Sequence, residues 1–303
     1  MVKFRIDANG RAYSIQPQFK SAKAEQAYNT AAPAIDLEPS LAGSQFQTGA
    51  PQTACEVIYA SHSVEAAKAS MQDKFLWAIS AEGSRGDEAD LTEMLVGNST
   101  CNRQIYPRVV HFPPFDEMLS RPGLNGKVLL IFDVDGSGVP INTRIGASTA
   151  DAEAAAASLE ALGKSRFAPK ALTACLKIDH QTNNDVIPPP PMFEAAALRP
   201  EDSDCLENGN HYLMVSDVPY PEGFESRSIE GWAIVRFDLT KDGAITNIKP
   251  LKAEPAAAFG IQAAGVVAAA TPIAGTGAKH GCVTRVVFKL PEIGPYGVFN
   301  EIH

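Results

Sequence analysis

Two stretches of this chain, KVLLIFDV at 127–134 and WAIVRFDL at 232–239, set apolar against polar positions with the period of two that a half-buried strand requires. Each runs into a glycine, Gly138 or Gly243, and then into a second strand-like run, GVPINTRIGAS or GAITNIKPLKA. The glycine therefore marks a hairpin, where a positive φ costs it nothing. The same string, Phe-x-aliphatic-(Asp/Thr)-x-x-Gly, occurs as FRIDANG at 4–10, FDVDGSG at 132–138 and FDLTKDG at 237–243. Three copies in one context make a repeat, with Phe4, Phe132 and Phe237 in register with Gly10, Gly138 and Gly243.

After each hairpin comes an alanine-rich stretch: AEQAYNTAAPAIDLEPSLA, ADAEAAAASLEAL and AAAFGIQAAGVVAAA. The second is the clearest helix, with Ser148 or Thr149 as expected cap and Gly163 just past its expected end. The first is interrupted by Pro33 and Pro39. A cysteine then opens a last strand in each copy, ACEVIYAS, ACLKIDH and GCVTRVVFKL. The unit reads strand, hairpin, strand, helix, strand. The expected class is α+β: tandem small domains, each an antiparallel sheet with a helix on one face. The expected boundaries are a first repeat at 1–61, a helical connector at 62–100, a second repeat at 101–187, a Pro-rich linker at 188–204 and a third repeat at 205–303.

In the connector, SVEAAKASMQDKFLWAIS and DEADLTEMLVGNS read as two helices, the first with Phe75, Leu76 and Ile79 on its apolar stripe and Trp77 as a core residue. In the linker, four consecutive prolines at 188–191 impose a short polyproline II rod, expected to act as a stiff spacer.

The charge balance, 35 acidic against 26 basic residues with a net of −9, sets nucleic acid aside as a partner. No apolar window is long enough for a membrane span. MVKFRIDANG lacks the layout of a signal peptide. The cysteines add a second line. Cys55, Cys175 and Cys282 are equivalent, and Cys101 and Cys205 precede the latter two by 74 and 77 positions. That constant spacing, without any CxxC, predicts disulfides Cys101–Cys175 and Cys205–Cys282 and an oxidising compartment. By the same spacing Cys55 stays a lone thiol, its partner falling before Met1, so the natural N-terminus is expected to be missing.

Asp133, Asp135, Ser137 and Gly138 match the opening positions of an EF-hand calcium loop, but the closing position, which needs a bidentate carboxylate, is Arg144. These acids are expected to serve a turn. No nucleophile elbow, zinc helix, P-loop or dinucleotide fingerprint is present. Asp179-His180 and His280-x-Cys282 are the only close pairs involving histidine, both at strand ends. No catalytic residue, metal ligand or cofactor is expected.

The second and third copies resemble the C-terminal domain of TonB-type energy transducers. The resemblance rests on Tyr106-Pro107 and Tyr220-Pro221 as opening motif, Gly126 and Gly231 before the strand, and Ser165-Arg166-Phe167-Ala168-Pro169 as closing stretch. The third copy has ATPIAG there and the first SQFQTGAP. It implies a periplasmic module that captures a peptide of an outer-membrane receptor by adding it to a sheet edge. The last strand of the third copy is the expected edge: Val283, Thr284, Arg285, Val286, Val287 and Phe288, with Tyr106, Pro107, Tyr220 and Pro221 as neighbours of binding sites. Val283, Arg285, Val287 and Lys289 would face solvent and the alternate residues the helix. A protein partner is thus expected; the alternative is an envelope scaffold whose domains pack on one another.

Overall fold

A computed structural model of the chain describes residues 1–21, 37–47, 49–59, 64–79, 88–101, 105–118, 121–183, 185–206, 212–290, 292–294 and 297–299. Most of the first alanine-rich stretch, residues 24–36, lies outside the described residues.

The repeat recurs in the backbone. In the first copy β1 (Val2–Ile6) and β2 (Ala12–Pro17) form the hairpin, α1 (Leu37–Ala42) follows, and β3 (Gln52–Val57) returns on the far side of β1. The connector supplies α2 (Met71–Ala78) and α3 (Glu88–Val96). The second copy consists of β4 (Pro107–Val109), β5 (Asn125–Val134), β6 (Pro140–Ser148), α4 (Ala152–Lys164), β7 (Arg166–Phe167) and β8 (Leu172–Thr182). The third repeats this with β9 (Leu213–Met214), β10 (Gly231–Leu239), β11 (Ile245–Glu254), α5 (Ala257–Ala269), β12 (Thr271–Pro272) and β13 (Lys279–Phe288). The three main sheets have strand orders β2-β1-β3, β6-β5-β8 and β11-β10-β13, antiparallel throughout. The class is α+β.

Register ties the copies together. Phe4 stands opposite Cys55, Phe132 opposite Cys175 and Phe237 opposite Cys282, with a bulge directly after each phenylalanine. At the same distance past each hairpin glycine, Ser14, Asn142 and Asn247 hold φ of 51, 52 and 51°. Asn142 donates to Asp133 Oδ2 at 2.8 Å and Asn247 to Asp238 Oδ2 at 2.7 Å. The other oxygens accept from the backbone N–H of Ala174 (2.8 Å) and Gly281 (2.7 Å). Asp133 is held below the usual carboxylate range first by the Asn142 hydrogen bond and then by that of Ala174. Asp135 Oδ1 accepts from the N–H groups of Ser137 and Val139 at 2.8 and 2.9 Å, as Asp7 does from Asn9 and Arg11. The acids of the loop that resembles a calcium site thus hold backbone donors.

Two of the hairpin glycines are fixed by close approach. A Cβ on Gly138 (φ +90°) would lie 2.2 Å from the Phe167 carbonyl oxygen, and on Gly10 (φ +78°) 2.3 Å from that of Phe46, whereas Gly243 (φ +83°) faces open space. Gly138→Ala is expected to cost about 3–4 kcal/mol, overpacking added to left-handed strain, and Gly243→Ala only about 1–2 kcal/mol. Denaturant unfolding of the two variants measures the difference.

The contacts divide the chain into two compact units, one combining residues up to 59 with residues from 185 onward, the other holding residues 64–183. In the first, copies one and three share a core: Val2, Phe4, Ile15 and Leu41 belong to one buried cluster with Phe224, Phe237, Phe259, Val267 and Phe288. Ile15 donates to the Pro255 carbonyl at 2.9 Å and bridges Ala256 in parallel. Buried Glu254 accepts from Ser14 N–H (2.7 Å) and Oγ–H (2.6 Å), and buried Glu38 from Ala258 N–H in the first turn of α5 (3.1 Å). Along the chain the repeats read as separate domains, yet the first docks on the third. One cause lies in α5, which carries a single polar side chain, Gln262, and so offers apolar surface beyond its own sheet.

In the second unit β5 is buried on both faces. Ala155 and Leu162 of α4 pack on Val128, Leu130 and Phe132, and the connector helices place Phe75, Ala78 and Leu95 on Leu129, Ile131 and Ala147. β5, like β10, is therefore not the half-buried strand expected, and its apolar run is nearly continuous because both faces are covered. Ser70 starts α2 with a capping box to Asp73. Trp77, expected in the core, is 46% exposed, and Leu76 is 45% exposed; the helix instead buries Phe75 and Ala78, which face the sheet. The N-cap of α4 is Asp151 instead of Ser148 or Thr149, and the helix runs through Gly163 to Lys164.

Candidate peptide-binding edge

The cysteines stand as their spacing predicts: Cys101–Cys175 and Cys205–Cys282 are disulfides with Cα separations of 5.1 and 5.2 Å, and Cys55 is free and half-buried. Each bridge fixes the segment before its repeat against the start of the last strand. Thr100 N–H donates to the Thr173 carbonyl at 3.1 Å, and Asp204 N–H to the His280 carbonyl at 3.3 Å. His280 Nδ1 lies 3.3 Å from Asp238 Oδ1 and Nε2 3.4 Å from Asp202 Oδ2. With Cys282 oxidised, that pair forms no thiol–imidazole centre.

β13 is an edge strand; among the described residues its sheet partner is β10 alone. The tethered segment covers its first part, which leaves Val283–Phe288 as the edge, roughly 20 Å of strand at ~3.4 Å per residue. Val286 and Phe288 join the core on the α5 side. The opposite face differs from the solvent-exposed one expected. Val283 is 1% exposed and packs with Trp232, Ile234 and Leu251 beneath Ala195 and Leu198. The covering residues belong to the Pro-rich segment, so this stretch is a layer of the fold as well as a connection. Trp232 Nε1–H donates to the Pro190 carbonyl at 2.9 Å, and Lys252 Nζ sits 4.5 Å from the Phe193 ring centroid. Arg285 donates to the Phe193 carbonyl at 2.8 Å and faces Glu194 at 3.6 Å. Val287 and Lys289 are exposed.

Tyr220 stands at the end of this edge. Its hydroxyl donates to the Ile229 carbonyl at 3.0 Å and contacts the Phe288 carbonyl at 3.3 Å, while its ring meets Phe288 and Phe259 edge-on. Burial, then the charges of Glu230 and Glu225, push the phenol above its usual range, so it stays a donor. Pro221 beside it is buried. The two Tyr-Pro pairs are not structural equivalents. Tyr106 precedes β4 and its carbonyl accepts from Ala168 N–H at 2.8 Å; the residue in that place in the third copy is Tyr212, before β9, whose carbonyl accepts from Ile273 N–H at 2.9 Å. Tyr106 and Pro107 belong to the other unit. Sequence reading missed Trp232, Lys252 and Glu194, whose roles depend on a segment with no regular periodicity folding back over the sheet.

No family model, curated protein or solved structure matches this chain. Among the described residues no helix is long and apolar enough to cross a membrane, and no group of three or more His, Cys, Asp or Glu is placed to hold a metal ion. The two disulfides are compatible with an extracytoplasmic, oxidising setting.

Proposed function

We propose that the chain is a non-catalytic protein-binding module of an oxidising compartment such as the bacterial periplasm, and that it captures an extended peptide along β13, in the manner of the TonB-type domains its repeats resemble. The observation that carries this reading is the position of β13: an edge strand, held rigid by a disulfide at its start and the Tyr220 hydroxyl at its end, with β10 as sheet partner on one side. An added strand satisfies edge N–H and C=O groups and gains affinity from main-chain hydrogen bonds. Energy transduction to an outer-membrane receptor is the role this resemblance suggests. A scaffold role is the second reading, favoured by the docking of the first copy on the third through Ser14, Glu38 and Glu254.

Val286→Pro tests the edge. Proline removes one N–H from the strand and is expected to lower affinity for receptor-derived extended peptides at least tenfold, measured by fluorescence anisotropy with circular dichroism confirming the fold. A folded variant with unchanged affinity would make the scaffold reading the better one.

A further inference from the structure

Resting on the edge-strand reading, we infer that the peptide taken up by β13 is acidic, with carboxylates alternating along the face it turns toward Arg285 and Lys289. The register places Val287 opposite Trp232 and Arg285 opposite Ile234, which in turn stands opposite Lys252. These side chains share the outer face, the one away from α5, and Lys289 follows the strand in the same alternation. The edge therefore presents a basic, an apolar and a basic side chain, Arg285, Val287 and Lys289, at steps of two residues. A strand laid beside β13 brings its own alternate side chains opposite these. The complementary sequence is acid-x-apolar-x-acid.

A further observation points to an anion, since a guanidinium gains most from a carboxylate. Arg285 already meets one carboxylate of the chain itself, Glu194 at 3.6 Å, whose side chain is 87% exposed. Glu194 lies on the segment that crosses this face and occupies in cis the place a ligand carboxylate takes, so it competes with the peptide. The overall charge of −9 repels acidic peptides in general, so a preference for them has a local origin.

The test uses the whole chain with its disulfides intact and two fluorescent peptides, one with the core Glu-Thr-Val-Thr-Glu and one with Lys-Thr-Val-Thr-Lys, both flanked by Gly-Ser. The acidic peptide is expected to bind about tenfold more tightly or better, at roughly threefold per matched charge pair. Glu194→Ala strengthens its binding about threefold and leaves the basic peptide unchanged. Lys289→Glu, at an exposed site outside the core, leaves one matched and one mismatched charge for either peptide and is expected to abolish the preference. Amide shifts confined to β13 and its neighbours locate the complex. Equal affinity for the two peptides, or no effect of Lys289→Glu, overturns the inference and leaves edge capture standing. Binding of neither peptide to the folded protein overturns both.

Discussion

Phe259→Ala is expected to unfold the first and third copies of the repeat together while the second stays folded. Phe259 is fully buried and packs against Phe224 at 4.6 Å, Phe288 at 5.2 Å and Tyr220 at 6.2 Å between ring centroids. Truncating such a side chain costs about 3–5 kcal/mol, partly for the cavity left behind. The loss reaches β1 and β2, which are distant in sequence, because Val2, Phe4 and Ile15 lie in the same cluster. Amide hydrogen exchange gives the readout. Protection is expected to fall in parallel for β1, β2, β10 and β13 and to persist in β5 and β8. If β1 kept its protection while β10 lost it, the shared core would be wrong.

The second large effect belongs to the disulfides. Replacing Cys205 and Cys282 together by alanine opens a loop of 77 residues and is expected to destabilise the first unit by about 4–5 kcal/mol, chiefly through the unfolded chain. Cys101→Ala with Cys175→Ala, closing 74 residues, is expected to do the same to the second unit and spare the first. Cys55→Ser should cost less than about 1 kcal/mol, since this half-buried thiol closes no loop. Urea unfolding with and without reductant, followed by Trp232 fluorescence for one unit and Trp77 for the other, separates the cases. Reductant is expected to change the double-alanine proteins only in the unit that keeps its bridge. A Cys55 variant as unstable as the paired ones would mean that Cys55 is bridged.

The wild-type pairing of these cysteines also shows how the repeat governs the edge. Cys282 stands opposite Phe237 at the bulge, and its bridge to Cys205 ties down the segment that precedes the repeat, which ends where the edge opens. The same arrangement in the second unit, Cys175 opposite Phe132, makes β8 the equivalent edge there. Its helix-side residues are Lys177, Asp179 and Gln181, in ion-pair and helix-cap contacts, where the third copy has Thr284, Val286 and Phe288. The two edges share a backbone plan and differ in chemistry.

Local pattern determined much of this protein. The strand-like runs, the glycine of each hairpin, the second and third alanine-rich helices and the constant cysteine spacing record short-range geometry and one repeated unit, so the α+β class, the element order of each copy and both disulfides were legible in the residues themselves. The edge position of β13 was expected from the resemblance and from its place as the last strand of the last copy, and the strand order β11-β10-β13 puts it there. Only the tertiary structure decided that the first copy docks on the third, that Trp77 is exposed while Phe75 is buried, that Tyr106 corresponds to Tyr212, and that the Pro-rich segment covers the outer face through Pro190, Phe193 and Glu194. Each of these depends on which apolar surface meets which other surface across many residues, as when Glu254 meets Ser14. Periodicity shows that a face is apolar. It does not identify the segment that will bury it, because burial is non-directional and rewards any surface of the right shape that the chain can bring within reach.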